Sequence, residues 1–351
     1  MSRRLSRPRR AGHSMVGRAG PTDDRVRLRA RGPADLLALI PFQLGFHPRE
    51  SLVAVFVCGS SVGLIARMDL PPVSTAADFA AKLEELARQN GAEELVLFAY
   101  SEHSEPARSL LTGLVDALPQ ARLRDALYVD GSRWWSLTCG QVCCPAEGTP
   151  YDVAGHRLAA EAVFAGMTTR ASREELAATV AGPPEAEVPR LVDLAAEVRA
   201  LRRDWPSDED PAARLLQRVQ AGLTDPAVLD DRACAELALL VGEIRLRDLV
   251  WAMIDPESAA DHIELWQRVV SRVAPVLSAA PLALLGMAGW ISGNGALLNC
   301  AGEELSCRHP SYSMGHLLEQ ISARAIPPRL WQSMAGELHD DLRREIARLA
   351  G

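Results

Sequence analysis

Two hydrophobic patterns divide this chain near residue 150. Before it, short runs of consecutive apolar residues alternate with amphipathic stretches. Ser-Leu-Val-Ala-Val-Phe-Val-Cys over 51–58 and Glu-Leu-Val-Leu-Phe-Ala-Tyr over 94–100 are apolar at nearly every position, the pattern of strands buried on both faces. Gly59-Ser60-Ser61 links the first run to a second strand over 62–70, which predicts a hairpin. Further strands are predicted over 124–130 and, after the Gly131-Ser132 turn, over 133–139. Between them Phe79, Leu83 and Leu86 recur at helical spacing up to Asn90-Gly91, and a second helix runs from its cap Ser104 to Leu118, before Pro119. A short helix over 34–40, ended by Pro41, precedes the first strand.

Beyond Asp152 the strand signal is gone. Helices are predicted over 155–165 and 172–180, followed by the linker-like stretch Ala181-Gly182-Pro183-Pro184-Glu185-Ala186-Glu187-Val188-Pro189. More helices follow near 190–203, 211–222, 227–241, 243–254, 257–273, 282–291, 295–306, 313–325 and 328–350. The expected fold is therefore an α/β N-terminal domain with a mixed β-sheet, followed by an all-α helical C-terminal domain. In residue terms this predicts a disordered basic tail over 1–24, the α/β domain over 25–168, a connecting segment over 169–189 and the helical domain over 190–351.

Charge changes the picture only at the start. Residues 1–31 carry ten Arg and two Asp, a net +8, which leaves −15 on the remaining 320 residues of a chain whose total is −7. Such an arm suits a polyanion, but Lys82 is the only lysine and Asn occurs only at 90, 294 and 299. That bias matches a GC-rich coding sequence, in which Arg-rich stretches arise without selection for binding, and Met15 is an alternative start. Arg3-Arg4 and Arg9-Arg10 are not followed by an apolar stretch, so no export signal is expected and the cytoplasm is the expected location. From Val273 to Gly302 there is no charge, yet Pro275, Pro281 and the Ser292-Gly293-Asn294-Gly295 break favour two buried helices over a membrane span.

The segment from Leu36 through Ile40-Pro41-Phe42-Gln43-Leu44-Gly45-Phe46-His47-Pro48-Arg49-Glu50-Ser51-Leu52-Val53 resembles the opening of domain-of-unknown-function family 4192. Arg67-Met68-Asp69-Leu70-Pro71 is similar to a later stretch of that family. So are Trp135-Ser136-Leu137-Thr138-Cys139, the Cys143-Cys144-Pro145-Ala146-Glu147-Gly148 run, Arg247-Asp248 and Gly293-Asn294-Gly295-Ala296. The resemblance implies a bacterial, high-GC (actinobacterial) source and brings no activity, cofactor or catalytic residue.

Candidate chemistry is sparse. Cys139, Cys143 and Cys144 could hold zinc with His156 or His47, but one C-x-x-x-C-C lacks the two separated pairs of a structural site, so no metal is expected. A redox role for Cys139 with Cys143 or Cys144 is the other functional option, against buried thiols packed under a turn that two Trp cover. In open α/β sheets ligands bind beyond the strand carboxyl ends. There the sequence offers Asp69, Glu102, His103 and Arg133 as acid–base candidates, and Arg67 and Trp134 as ligand-binding candidates. A lone lysine on an amphipathic helix excludes a P-loop, and no G-x-G-x-x-G, G-x-S-x-G or H-E-x-x-H occurs. Trp251, Trp266, Trp290 and Trp331 should fill the helical core, and Arg245, Arg247 and Asp248 should form a salt-bridged helix face. The expectation is a ligand-binding or protein-interaction module without cofactor, the alternative a hydrolase-like enzyme without a recognised motif. Protein partners or further copies would be met through the helical half, with no membrane partner and nucleic acid disfavoured.

Overall fold

A computed structural model describes residues 28–139, 144–204, 206, 210–328, 330 and 331. The tail predicted over 1–24 and nearly all of the helix predicted over 328–350 lie outside these residues, as does Cys143.

The apolar runs form a six-stranded mixed sheet of β1 (Ser51–Cys58), β2 (Ser61–Asp69), β3 (Glu94–Tyr100), β4 (Leu123–Val129), β5 (Arg133–Ser136) and β6 (Thr149–Pro150), in the order β2-β1-β3-β4-β5-β6. Among neighbouring strands of this sheet only β3 and β4 pair in parallel, and the chain passes between them by a helical crossover, α3 (Ser104–Ala117). The β1–β2 hairpin closes at Gly59-Ser60, with Cys58 opposite Ser61 and Gly59 at φ 59°, a position where glycine carries no steric penalty.

The two faces of the sheet are covered differently. Leu52, Ala54, Phe56, Leu95, Leu97 and Ala126 pack against α3 and against α2 (Ala76–Asn90). On the other face Val53, Val55, Val96, Phe98, Leu127 and Val129 belong to one apolar cluster that runs on through the helical half to Leu285, Leu298 and Leu318. Strand alternation is what sorts the side chains between these faces. The sheet therefore shares its core with the C-terminal helices.

That half comprises α6 (Val188–Arg203), α7 (Pro211–Thr224), α8 (Asp231–Val241), α9 (Ile244–Met253), α10 (Ala259–Val270), α11 (Ala279–Ile291), α12 (Gly295–Arg308) and α13 (Ser313–Ala323), preceded by α4 (Arg157–Phe164) and α5 (Arg173–Ala178). The charge-free stretch is explained by α11, which is buried from Ala280 to Ile291. Its small residues let neighbours approach: a Cβ added at Gly289 would lie 3.1 Å from the backbone nitrogen of Leu298. Among the described residues no helix is long and apolar enough to cross a membrane.

Several local expectations are corrected. The first helix, α1 (Pro33–Leu44), continues through Pro41 and stops at Gly45, φ 79°. Burial of Pro41, Phe42 and Leu44 offsets the missing backbone hydrogen bond. β5 ends at Ser136 instead of 139 because the Ser136 and Thr138 hydroxyls both donate to Asp125 Oδ1, at 2.6 Å each, and draw the chain off the ladder. α6 starts inside the expected linker, since Pro189 sits in a first turn where no N–H is needed. Arg247 makes the expected salt bridge with Asp248, but from a buried position. It is 6% exposed and donates to Tyr312 Oη at 3.0 Å.

Candidate functional site

The sheet brings the polar strand ends to one edge. Asp69 lies opposite Ser51, Ser51 opposite Tyr100, Tyr100 beside Val129 and Val129 opposite Trp134. The loop 101–103, Asp130 and Arg133 therefore share that rim. The same row sets their separation. Asp69 and Trp134 are four strand spacings apart, about 19 Å at the backbone, so Asp69 and the neighbouring Arg133 are out of hydrogen-bond reach of each other.

Alternation also splits the candidates between faces. Arg67 and Trp134 point to the side of the helical half with their cross-strand partners Val53 and Val129, and Asp69, two residues on from Arg67, shares that face. Arg133, next to Trp134, points with Trp135 to the α3 side. Arg67 is occupied: Nε donates to Ser51 Oγ at 2.9 Å, Nη1 pairs with Asp69 at 2.7 Å, and its guanidinium lies 5.7 Å from the Phe46 ring centroid. Arg133 Nη1 donates to the carbonyls of Glu147 and Gly148. Glu102 and His103 are exposed in the loop before α3.

A residue absent from the sequence-based candidates organises this loop. Glu50 has φ 40°, uncommon for a residue with a side chain. The strain is held by three hydrogen bonds: its carboxylate accepts from Ser101 Oγ at 2.9 Å and Glu102 N at 3.0 Å, and its carbonyl accepts from Leu70 N at 2.9 Å. Ser101, 5% exposed, in turn accepts from His103 N through its hydroxyl, and Tyr128 Oη donates to its carbonyl at 3.1 Å. Asp130 makes the matching turn between β4 and β5, accepting from Ser132 N, Ser132 Oγ and Arg133 N. Burial raises its pKa, but these hydrogen bonds and the Arg133 charge prevail and hold it below the usual carboxylate range.

On the α3 side the rim carries a cationic platform. The Arg108 guanidinium lies 4.9 Å from the Tyr128 ring centroid and 5.1 Å from that of Trp135, and those two rings stack at 5.2 Å. Among the described residues no carboxylate or carbonyl accepts a hydrogen bond from Arg108. It sits one turn into α3, whose N-terminus at His103 has no side-chain cap.

The opposite side of the rim is dry at β3 and β5. Tyr100 is 7% exposed, and neither its hydroxyl nor the buried indole nitrogen of Trp134 has a partner among the described residues. Burial, then the neighbouring Tyr151, push the Tyr100 phenol well above its ordinary pKa. Burial and Asp130 push Tyr151 up to about 12.

No group of three His, Cys, Asp or Glu side chains among the described residues is placed to hold a metal ion. The Cys139–Cys143–Cys144 cluster falls partly outside the described residues. His47 is half-buried, and burial followed by the Arg49 charge lowers its pKa.

The architecture is thus that of an α/β sheet protein with a polar carboxyl rim and a helical half built onto one sheet face. The family model described as Domain of unknown function (DUF4192) matches residues 33–329, and the chain belongs to that family. No curated protein and no solved structure matches it. Two of the segments that resemble the family, from opposite halves, meet in space. Asn294 caps α12 by accepting from Leu297 N at 3.0 Å, and a Cβ added at Gly45 would lie 3.3 Å from its Nδ2.

Proposed function

We propose that this protein is a ligand-binding module that holds a small anionic group, a carboxylate or phosphate, at the α3 side of the sheet rim. The observation that carries the reading is Arg108, fixed over Tyr128 and Trp135 with its hydrogen-bond donors unspent among the described residues. A guanidinium immobilised on aromatic rings has less conformational freedom to lose on binding, and its planar fork matches an oxyanion. The uncapped first turn of α3 opens at the same rim and favours negative charge. Glu50 and Asp130, the nearby carboxylates, are engaged by hydrogen bonds within their own loops and do not pair with Arg108.

Calorimetric titration with inorganic phosphate and with malonate tests it. Saturable binding is expected for the wild type, strongly reduced in Arg108→Lys, which cannot make the two-pronged contact, and lost in Arg108→Ala. Equal binding by wild type and Arg108→Ala, or none by the wild type, would remove the reading.

The hydrolase alternative built on Asp69, Glu102, His103 and Arg133 draws no support from the strand spacing, because acid–base partners need hydrogen-bond reach. The same reading keeps a high-GC actinobacterial source, on the Arg-for-Lys bias of the chain, and a cytoplasmic setting. It also keeps 25–168 as the sheet-bearing part and 190–351 as the helical part, with 169–189 connecting them.

A further inference from the structure

A groove of about 570 Å³ opens on the side of α1 turned away from the sheet. Phe42, Val153, Ala159, Ala160 and Val163 form its apolar wall, and His47 and Thr169 contribute its polar groups. Its lip is the end of α4. Leu158, Ala159 and Ala162 turn inward, but the last two residues, Val163 and Phe164, are 61% and 90% exposed. Phe164 is a whole aromatic ring in water beside an apolar hollow large enough to take it. Isolated apolar residues on a surface need no explanation, but an exposed ring contiguous with an apolar groove marks an interaction face.

We propose that this face binds a second copy of the chain, the Phe164 ring of each copy entering the groove of the other about a two-fold axis. Projection and hollow lie side by side on the same short helix. A two-fold axis lying in the surface between them carries each projection onto the other copy's hollow and closes the assembly at two chains. The charges fit the same arrangement. Arg157 and Glu161 form an ion pair one helical turn apart on the exposed side of α4. In an antiparallel crossing of two α4 helices, each Arg157 comes within about one turn of the other copy's Glu161, and the helix dipoles oppose. The sequence pointed to the later helices for self-association, whereas the exposed ring sits on α4. A contact limited to two rings and two grooves falls at the small end of stable interfaces, so the dimer is expected to be reversible, with dissociation in roughly the micromolar range.

Sedimentation velocity over a concentration series tests the proposal on the full chain. Wild type should pass from monomer to dimer across the micromolar range. Phe164→Asp should remain monomeric at every concentration, and because the side chain is exposed the fold has nothing to lose. Ala160→Trp, at an exposed groove position, should also remain monomeric, because it fills the hollow. Mixing the two variants should restore a weaker heterodimer, since one copy keeps an open groove and the other keeps its ring. A wild type that stays monomeric well above the micromolar range, or a Phe164→Asp variant that dimerises like wild type, overturns the proposal. Monomeric variants whose mixture shows no heterodimer overturn the reciprocal geometry.

Discussion

The two sides of one sheet edge have opposite chemistry, although the same strands supply both. On the α3 side, polar groups are partnered or presented: Tyr128 donates to Ser101, Glu50 straps the loop, and Arg108 rides on two rings. On the helical side, one residue away along each strand, Tyr100 and Trp134 have buried polar atoms without partners among the described residues. The cause is what covers each face. α2 and α3 leave the rim open to water, whereas the helical half extends the apolar core across the other face. A ligand that needs hydrogen bonds and access is served by the first side. The second is the joint that holds the two halves together.

The most severe way to break this comparison is to remove the cover. A chain ending at residue 185 keeps α1, α4 and α5 but loses the helices whose side chains complete the cluster around Val53, Val55, Phe98 and Leu127. At about 25 cal/mol per Å² of apolar surface, uncovering even part of that face exceeds the net stability of a typical domain. The truncated chain should aggregate or lack a cooperative unfolding transition by calorimetry. Cooperative melting of a soluble fragment would mean that the two faces are more alike than the shared core implies.

The dry side extends into the helices, and acid should find it. His262 is fully buried on α10, and neither ring nitrogen has a partner among the described residues. Burial lowers its pKa to about 4, with Asp255 pulling weakly the other way. The unfolded chain takes up the proton near pH 6.5 and the fold refuses it until about 4, so stability is full above 6.5 and falls as pH drops between the two. Between pH 7 and 5 the loss from this one group is about 2 kcal/mol. Urea unfolding of wild type and His262→Leu at both pH values isolates it. Wild type should lose that much more than the variant, and parallel losses would show that His262 is not what acid attacks.

The sequence made the skeleton legible because burial on both faces writes itself as unbroken β-branched runs, and turns as Gly59-Ser60 and Asn90-Gly91. β6 was not legible, being two residues with a proline, too short for any period to register. The rim was foreseen as an edge, but its division was not. Spacing shows that Arg67 and Asp69 share a face, yet nothing local says whether Arg133 joins them, because that depends on β4–β5 pairing. Glu50 was overlooked for a similar reason: its contact with Glu102 spans 52 residues and exists only once β1 pairs with β3. A signal for Arg108 was available in outline, since it borders the apolar stripe Ala107, Leu110, Leu111 and Leu114 on α3. Its ring partners lie on other elements.

The finest test compares two tyrosines on adjacent strands and opposite faces. Tyr128 Oη spends its proton on the Ser101 carbonyl, so Tyr128→Phe should cost about 1 kcal/mol, the usual net value of one such bond. It should also raise hydrogen exchange in the 101–103 loop. Tyr100 keeps a hydroxyl out of water with no partner among the described residues, so Tyr100→Phe removes a desolvated group and its ring stays against Phe98. That change should leave stability unaltered or raise it by up to about 1 kcal/mol. A loss at Tyr128 with no loss at Tyr100 from the same chemical substitution, read as shifts in urea midpoint, is the outcome the two-sided edge requires. A loss of equal size at both positions would mean that Tyr100 has found an acceptor, and that the helical side of the rim is as wet as the other.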